Sequence, residues 1–191
     1  MKLVLASTSR YRKDLLARLG LPFEARAPLC DEEALKVPGL APEALAERLA
    51  LAKAESLREA EPGAAIVGSD QIATIDGVIL GKPGIAVRAE EQLARLAGRT
   101  HALVTAIAVV HPGGVLAHLD ITRLSMRALG AEAIARYVAA DAPLDCAGSY
   151  RLEARGIALF SRIESADHTA IVGLPLIALT EMLASLGFRV P

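Results

Sequence analysis

Short apolar runs alternate along the chain with longer segments in which apolar residues recur every three or four positions. The first pattern is typical of buried strands and the second of amphipathic helices. Gly or Pro follows most of these segments and marks their ends. We therefore predict strands at 2–6, 23–27, 64–68, 100–111, 115–126 and 159–163, and helices ending at 19, spanning 41–61, 88–96 and 131–140, and starting at 173–175.

The two longest predicted strands are joined by Pro112-Gly113-Gly114, which is typical of a hairpin. Such a pair is antiparallel, so the predicted sheet is mixed. Helical segments lie between the other strands. The pattern therefore predicts an α/β fold with a mixed sheet.

The composition is that of a globular protein with an ample core. Of 191 residues, 53% are hydrophobic and 23% charged, and the net charge is −1. No global basic field is available for a nucleic-acid backbone, and an aromatic content of 3% argues against a single-strand stacking platform. Two cysteines without CxxC spacing favour a reducing compartment, and no segment approaches a membrane span. We expect a cytoplasmic protein.

The stretch 64–71 places polar chemistry next to a predicted strand. An apolar run leads to Ser69, Asp70 and Gln71, and Gly81-Lys82-Pro83 follows a short Asp76-Gly77 hairpin. A carboxylate at the end of a buried strand lies where ligands bind in α/β folds. An Asp that only caps a turn is the alternative interpretation.

The first predicted helix begins with cations, where the helix dipole favours anions. Ser7-Thr8-Ser9 is an N-cap cluster, and Arg10, Arg12 and Lys13 follow it. Hydroxyls, cations and free N–H groups together suit a phosphate, although a solvated basic turn is the common alternative. The acidic loop Asp31-Glu32-Glu33 would hold a divalent metal if it folded back toward this turn.

Lys53 falls in the middle of the apolar stripe of the longest predicted helix. A lysine there is unfavourable unless it meets an anion or extends its ammonium group to solvent. We expect it to point into a polar cavity. If a bound phosphate is its partner, Lys53→Met should leave the free protein at least as stable.

Several chemistries are excluded by missing motifs. The chain has no P-loop, no GxGxxG and no GxSxG elbow, and its four histidines lack metal-ligand spacing. A basic helix start, lysines in unusual places, acidic loops and a glycine-rich polar segment remain. Together these residues indicate a polyphosphate site with metal-assisted hydrolysis.

These motifs resemble the Maf family of nucleotide pyrophosphatases nearly end to end. Within the family, Ser69-Asp70-Gln71 and the segment leading to Glu153 are similar to the branch that hydrolyses 7-methyl-GTP. The motifs that carry the resemblance are Leu5-Ala6-Ser7-Thr8-Ser9-Arg10-Tyr11-Arg12, Ser69-Asp70-Gln71, Gly81-Lys82-Pro83, Cys146-Ala147-Gly148-Ser149-Tyr150 and Ile171-Val172-Gly173-Leu174-Pro175-Leu176.

The resemblance implies one domain over residues 1–191, with a long curved mixed sheet flanked by helices, as in inosine triphosphate pyrophosphatases, and a central nucleotide-binding cleft. It implies hydrolysis of the α–β phosphate bond to a nucleoside monophosphate and pyrophosphate, with Mg²⁺ or Mn²⁺. The implied roles are proton acceptor for Asp70, phosphate binding for Ser7, Arg12, Lys53 and Lys82, metal binding for Glu32 and Asp70, and substrate choice for Tyr11, Gln71 and Glu153.

The expected partner is a nucleoside triphosphate, with no nucleic acid polymer and no membrane, and a homodimer stays open. Two alternatives also stay open: a dTTP/UTP pyrophosphatase of the same family, and a nucleotide-sensing cell-division regulator without catalysis. For Glu153, the alternative is a surface ion pair with Arg151 or Arg155. The favoured role is to accept the adjacent N1–H and amine of 7-methylguanine, with Gln71 adding an amide contact and Tyr11 stacking on the cationic ring.

Overall fold

The computed structural model describes residues 1–190. Its strands are β1 (Leu3–Ala6), β2 (Glu24–Arg26), β3 (Ala65–Ile75), β4 (Val78–Leu80), β5 (Thr100–His111), β6 (Gly114–Met126) and β7 (Phe160–Glu164). Its α-helices are α1 (Arg10–Ala17), α2 (Glu32–Leu35), α3 (Pro42–Glu55), α4 (Ala86–Leu96), α5 (Ala131–Asp141), α6 (His168–Val172) and α7 (Leu176–Ser185). A 3₁₀ helix spans Arg155–Leu159.

The strands form one mixed sheet of seven strands in the order β2-β1-β3-β5-β6-β7, with β4 paired to β3. β1 is parallel to β2 and to β3, whereas β4 is antiparallel to β3 and β7 is antiparallel to β6. Parallel pairs need crossover segments, which α1 and α3 provide. The α/β fold with a mixed sheet and flanking helices is therefore confirmed.

The chain divides into two compact units. Of the described residues, the first unit contains 1–71, 105–120 and 167–190, and the second contains 72–104 and 121–166. In the first unit, α1 and α7 pack with β1 and β3 through a buried cluster that includes Leu5, Leu16, Val67 and Leu179. In the second unit, α4 lies against α5. The single domain with a central cleft stays a prediction, and its last residue lies outside the described chain.

Most predicted segments are present with ends shifted by a few residues, and three predictions were wrong. The longest helix, α3, ends at Glu55 and not at residue 61, because the chain turns so that buried Glu61 meets the cations of Lys2 and Arg26. The acidic loop begins a short helix, α2, whose N-cap is Asp31. Helix α6 was not predicted.

The third wrong prediction is the end of strand β3. The apolar run was expected to end before Ser69, but β3 continues through Ser69, Asp70 and Gln71 to Ile75. Pairing with β4, in which Ala73 lies opposite Leu80, extends the strand beyond its apolar start. Asp70 therefore lies in the middle of a strand and not at its end.

Candidate active site

Lys53 is the centre of a charged cluster in the first unit. Its ammonium nitrogen lies 2.6 Å from Asp70 Oδ1 and 2.9 Å from Glu32 Oε2. Lys53 is only 5% exposed. A buried ammonium needs anionic partners, and here two carboxylates supply them. The expectation of an anion at Lys53 is met within the protein itself, so a solvent-exposed ammonium group is excluded.

Gly68 explains how a lysine on α3 reaches a carboxylate on β3. A Cβ atom on Gly68 would lie 2.1 Å from the Ala50 carbonyl oxygen and 2.8 Å from the Ala54 nitrogen. Only glycine therefore allows the helix backbone to lie directly against the strand. This close approach places the fourth turn of α3 beside Asp70. The sequence contained Gly68, but its role was not recognised there.

Side chains alternate across β3 and direct Ser69 and Gln71 to one face and Asp70 to the other. Ser69 is fully buried, and its hydroxyl donates to the Gly173 carbonyl oxygen at 2.8 Å. Gln71 contacts the neighbouring helix α6. The alternation leaves Asp70 on the face where Lys53 lies.

The Gln71 amide is fixed in one orientation by its neighbours. Its Nε2 lies 2.8 Å from the Ala170 carbonyl oxygen, 3.0 Å from that of Ile171 and 3.0 Å from the Thr105 hydroxyl. Because carbonyl oxygens only accept, the nitrogen must face them, and both of its hydrogens are used. The acceptor Oε1 is therefore the group that Gln71 retains for a ligand.

Arg12 joins the charged cluster from the first turn of α1. Ser9 caps this helix by accepting from the Arg12 backbone nitrogen at 3.5 Å, as the serine cluster predicted. The Arg12 Nε donates to the Gly173 carbonyl oxygen at 3.0 Å. Burial lowers the pKa of Arg12 from its ordinary value, and the negative charges of Asp70 and Glu32 oppose that shift. Arg12 is therefore not part of a freely solvated turn.

Ser7 and Tyr11 lie beside Arg12 with contacts of their own. Ser7 is buried, and its hydroxyl accepts from the Ser9 backbone nitrogen at 3.1 Å. The Arg10 guanidinium lies 4.7 Å from the centre of the Tyr11 ring and donates to its hydroxyl at 2.8 Å. One face of the Tyr11 ring is therefore covered by a cation in the free protein. A cationic ring of a ligand would have to stack on the other face of Tyr11.

Lys82 and Glu153 belong to the second unit. Both are exposed, and neither forms an ion pair within residues 1–190. Arg155, one of the two arginines proposed as a partner for Glu153, has its Nε 3.9 Å from Asp141 Oδ1, and Arg151 donates to the Asp141 carbonyl oxygen. Arg155 thus has Asp141 as its carboxylate partner, and the role of Glu153 stays a prediction.

Gln92 links the two segments of the second unit that carry these residues. Its Nε2 donates to the Gly81 carbonyl oxygen at 2.9 Å, next to Lys82, and its Oε1 accepts from the Ser149 hydroxyl at 2.6 Å. Ser149 has a positive φ of 63°. Gln92 was not predicted from the sequence, because nothing in the helical pattern of α4 distinguishes it from a solvated glutamine.

The carboxylates suit a hard cation only in part. Residues 1–190 contain no group of three or more His, Cys, Asp or Glu side chains that would hold a metal ion alone. Glu32 and Asp70 nevertheless converge on one ammonium group, as the two contact distances show. Mg²⁺ is commonly bound by one or two carboxylates, with substrate phosphates and water completing its shell. These two oxygen donors fit that kind of site.

The chain matches the Maf-like protein family over residues 2–186 and belongs to it. A Bdellovibrio bacteriovorus protein named 7-methyl-GTP pyrophosphatase is 50% identical over 182 residues, which are 95% of each chain. A protein of the same name from Xanthomonas oryzae pv. oryzae is 48% identical over 190 residues, covering 100% of this chain and 99% of that protein.

The chain is also similar to solved structures. One of them is described as a HAM1 protein from Coxiella burnetii, with 16% identity, a TM-score of 0.46 and coverage of 98% of both chains. As for membrane association, the helices within residues 1–190 include none with the length and apolarity needed to cross a bilayer.

Proposed function

We propose that this protein is a nucleoside triphosphate pyrophosphatase that hydrolyses the α–β phosphate bond of 7-methyl-GTP to 7-methyl-GMP and pyrophosphate. Membership of the Maf-like family and the name shared by relatives about half identical in sequence support this substrate. One observation in the structure carries the proposal: the buried Lys53 ammonium joins the Asp70 and Glu32 carboxylates, with Arg12 beside them. Buried cations and carboxylates in one place suit the chemistry of a polyphosphate.

In this proposal Asp70 accepts a proton from the attacking water. The water oxygen forms a bond to the α-phosphorus, the bond from that phosphorus to the α–β bridging oxygen breaks, and pyrophosphate leaves with the bonding electrons. Lys53 lies 2.6 Å from Asp70 and holds this carboxylate in place for the transfer. The general base therefore lies on a rigid strand next to the positive charge that a phosphate needs.

Three cations and one hydroxyl would bind the phosphates. Arg12 and Lys53 come from the charged cluster, Ser7 lies at the start of α1, and Lys82 follows β4. Their positive charges offset the negative charge that develops on the phosphate oxygens. The start of α1 adds the positive end of the helix dipole.

Glu32 and Asp70 would hold a divalent cation, Mg²⁺ or Mn²⁺, together with phosphate oxygens. When bound, such an ion supplies Lewis acidity and neutralises charge on the phosphates. Contact with Lys53 brings the two carboxylates together before the substrate arrives.

Base choice in this proposal depends on hydrogen-bond acceptors that match the donors of 7-methylguanine. Glu153 is exposed and has no competing ion pair within residues 1–190, so its carboxylate is available to the adjacent N1–H and amine. Gln71 offers only its oxygen, because its nitrogen is committed to α6 and Thr105. The free face of Tyr11 is available to the cationic ring.

Pyrophosphate release from a panel of nucleoside triphosphates, with Mg²⁺ and with Mn²⁺, tests this function. We expect the highest kcat/KM for 7-methyl-GTP. Faster hydrolysis of UTP or dTTP would favour the other branch of the family, and binding without release for every nucleotide would favour a regulator without catalysis. A cytoplasmic location and a homodimer stay predictions alongside this proposal.

A further inference from the structure

The segment that carries Glu153 is attached to helix α5 at both of its ends. The Arg151 backbone nitrogen donates to the Tyr137 hydroxyl at 2.9 Å, and the Arg155 backbone nitrogen donates to Asp141 Oδ2 at 3.1 Å. Tyr137 and Asp141 are four residues apart, so they lie one turn apart on the same face of the helix. Two side chains of one helix thus hold the backbone on either side of Glu153.

The same segment is closed by hydrogen bonds of its own. The Arg151 carbonyl oxygen accepts from the Ala154 nitrogen at 3.2 Å and from the Gly156 nitrogen at 3.0 Å. A Cβ atom on Gly156 would lie 2.3 Å from that oxygen, so only glycine allows the chain to close this tightly. Residues 151–156 therefore form a compact loop, and its exposed side chains include Glu153.

Tyr137 and Asp141 are themselves too buried to act as ligands. They are 7% and 6% exposed, respectively. Burial raises the pKa of Tyr137, so its hydroxyl stays neutral and able to accept a hydrogen bond at physiological pH. Both side chains accept from backbone N–H groups of the loop. They therefore influence a ligand only through that loop.

We propose that Tyr137 and Asp141 are positioning residues for base selection: by holding the loop backbone at Arg151 and Arg155, they place the Glu153 carboxylate for the purine's adjacent donors. This inference rests on the proposed function, in which Glu153 reads the base. A carboxylate that must meet two donors at once tolerates little displacement, so the loop anchors matter more for this base than for one without the donor pair.

The most direct test is the variant Tyr137→Phe, which removes one hydroxyl and keeps the ring. We expect the ratio of kcat/KM for 7-methyl-GTP to that for UTP to fall about 3- to 10-fold, mainly through a higher KM for 7-methyl-GTP, on the scale of one hydrogen bond. Tyr150→Phe is the matched control. It removes a buried hydroxyl that bonds His101 at 2.8 Å and makes no bond to the loop backbone. An equal fall in both variants would overturn the proposal.

Asp141 provides a second and independent test, which also decides the matter if the Tyr137 variant does not fold. Asp141→Asn keeps an oxygen that accepts from the Arg155 nitrogen, so it should preserve the wild-type ratio. Asp141→Leu removes the acceptor and should lower the ratio as Tyr137→Phe does. A wild-type ratio in the leucine variant would overturn the proposal.

A double-mutant cycle with Glu153→Gln separates positioning from a general structural effect. Glu153→Gln alone should lower kcat/KM for 7-methyl-GTP by roughly 5- to 150-fold, the scale of a charge-assisted hydrogen bond. If Tyr137 acts through Glu153, Tyr137→Phe should have little further effect on the ratio in that background. Full additivity would overturn the positioning role alone, whereas a wild-type protein without preference for 7-methyl-GTP would overturn the proposed substrate and this inference together.

Discussion

Lys53 dominates the electrostatics of the candidate site at the scale of single residues. Its ammonium group contacts both carboxylates of the cluster, and Arg12 adds a second positive charge beside them. Asp70 is the more enclosed of the two, with 13% of its side chain exposed against 41% for Glu32. Lys53 is therefore the main cationic partner of the enclosed Asp70 carboxylate.

This ion pair reverses the expectation for Lys53→Met. Methionine would leave Asp70 largely enclosed and without its cation, so we expect the unfolding free energy to fall by about 3 kcal/mol, as when one partner of a buried pair is removed. Urea denaturation at pH 7 measures the change.

Two further variants serve as a control and as a rescue for that measurement. Lys13→Met makes the same change at a lysine that has no ion pair within residues 1–190, and it should alter stability by less than about 0.5 kcal/mol. Lys53→Met combined with Asp70→Asn should recover part of the loss, because the enclosed carboxylate at position 70 is then absent as well. An unchanged stability in Lys53→Met would show that Asp70 does not need this partner.

The charged residues of the cluster were predictable from the sequence, but the partners that each one contacts were not. Lys53 was recognisable because a cation on an apolar stripe violates a simple rule. Arg10 lies over the Tyr11 ring because of the rotation of its side chain. The Gln71 nitrogen donates to α6, a helix that lies about 100 residues away in the sequence. A pattern along the chain does not contain that information.

At the scale of elements, β3 shows how pairing overrides local polarity. The polar triplet at 69–71 lies inside the strand because β1 fixes its start, with Leu5 opposite Val67, and β4 fixes its end. The apolar run predicted the start of this strand correctly, and the polar residues suggested too early an end. Helix α6 was missed because its five residues, His168–Val172, are too few to show a helical period.

The packing of β5 predicts a specific pH dependence of stability. His101 is 3% exposed, its Nε2 lies 2.8 Å from the Tyr150 hydroxyl, and the Phe160 ring lies against it. Burial lowers the pKa of His101 to about 4. Because the unfolded chain binds a proton near pH 6.5 and the folded chain does not, stability should fall between pH 6.5 and 4 by up to about 3 kcal/mol.

Chemical denaturation across that pH range, with His101→Gln as the test variant, isolates this contribution. The variant cannot gain the proton, so its stability should depend less steeply on pH than that of the wild type. His118→Gln, at an exposed histidine, should keep the wild-type slope. Equal slopes in all three proteins would contradict a neutral buried His101.

At the scale of the whole molecule, β3, β5 and β6 each supply residues to both compact units. The family resemblance predicted the mixed sheet, and the family match confirms the membership over nearly the whole chain. The division into units was not predictable, because strands that contribute to both carry no break in their apolar pattern. The proposed general base, Asp70, lies on one of these strands, β3.

The most direct test of that role is the rate of pyrophosphate release from 7-methyl-GTP by Asp70→Asn. Asparagine keeps the shape of the side chain but does not accept the water's proton, so we predict retained nucleotide binding and a loss of roughly 100-fold or more in turnover. Asp14→Asn, at an exposed carboxylate with no ion pair within residues 1–190, should turn over as the wild type does. Turnover near the wild-type rate in Asp70→Asn would contradict the assignment of the general base.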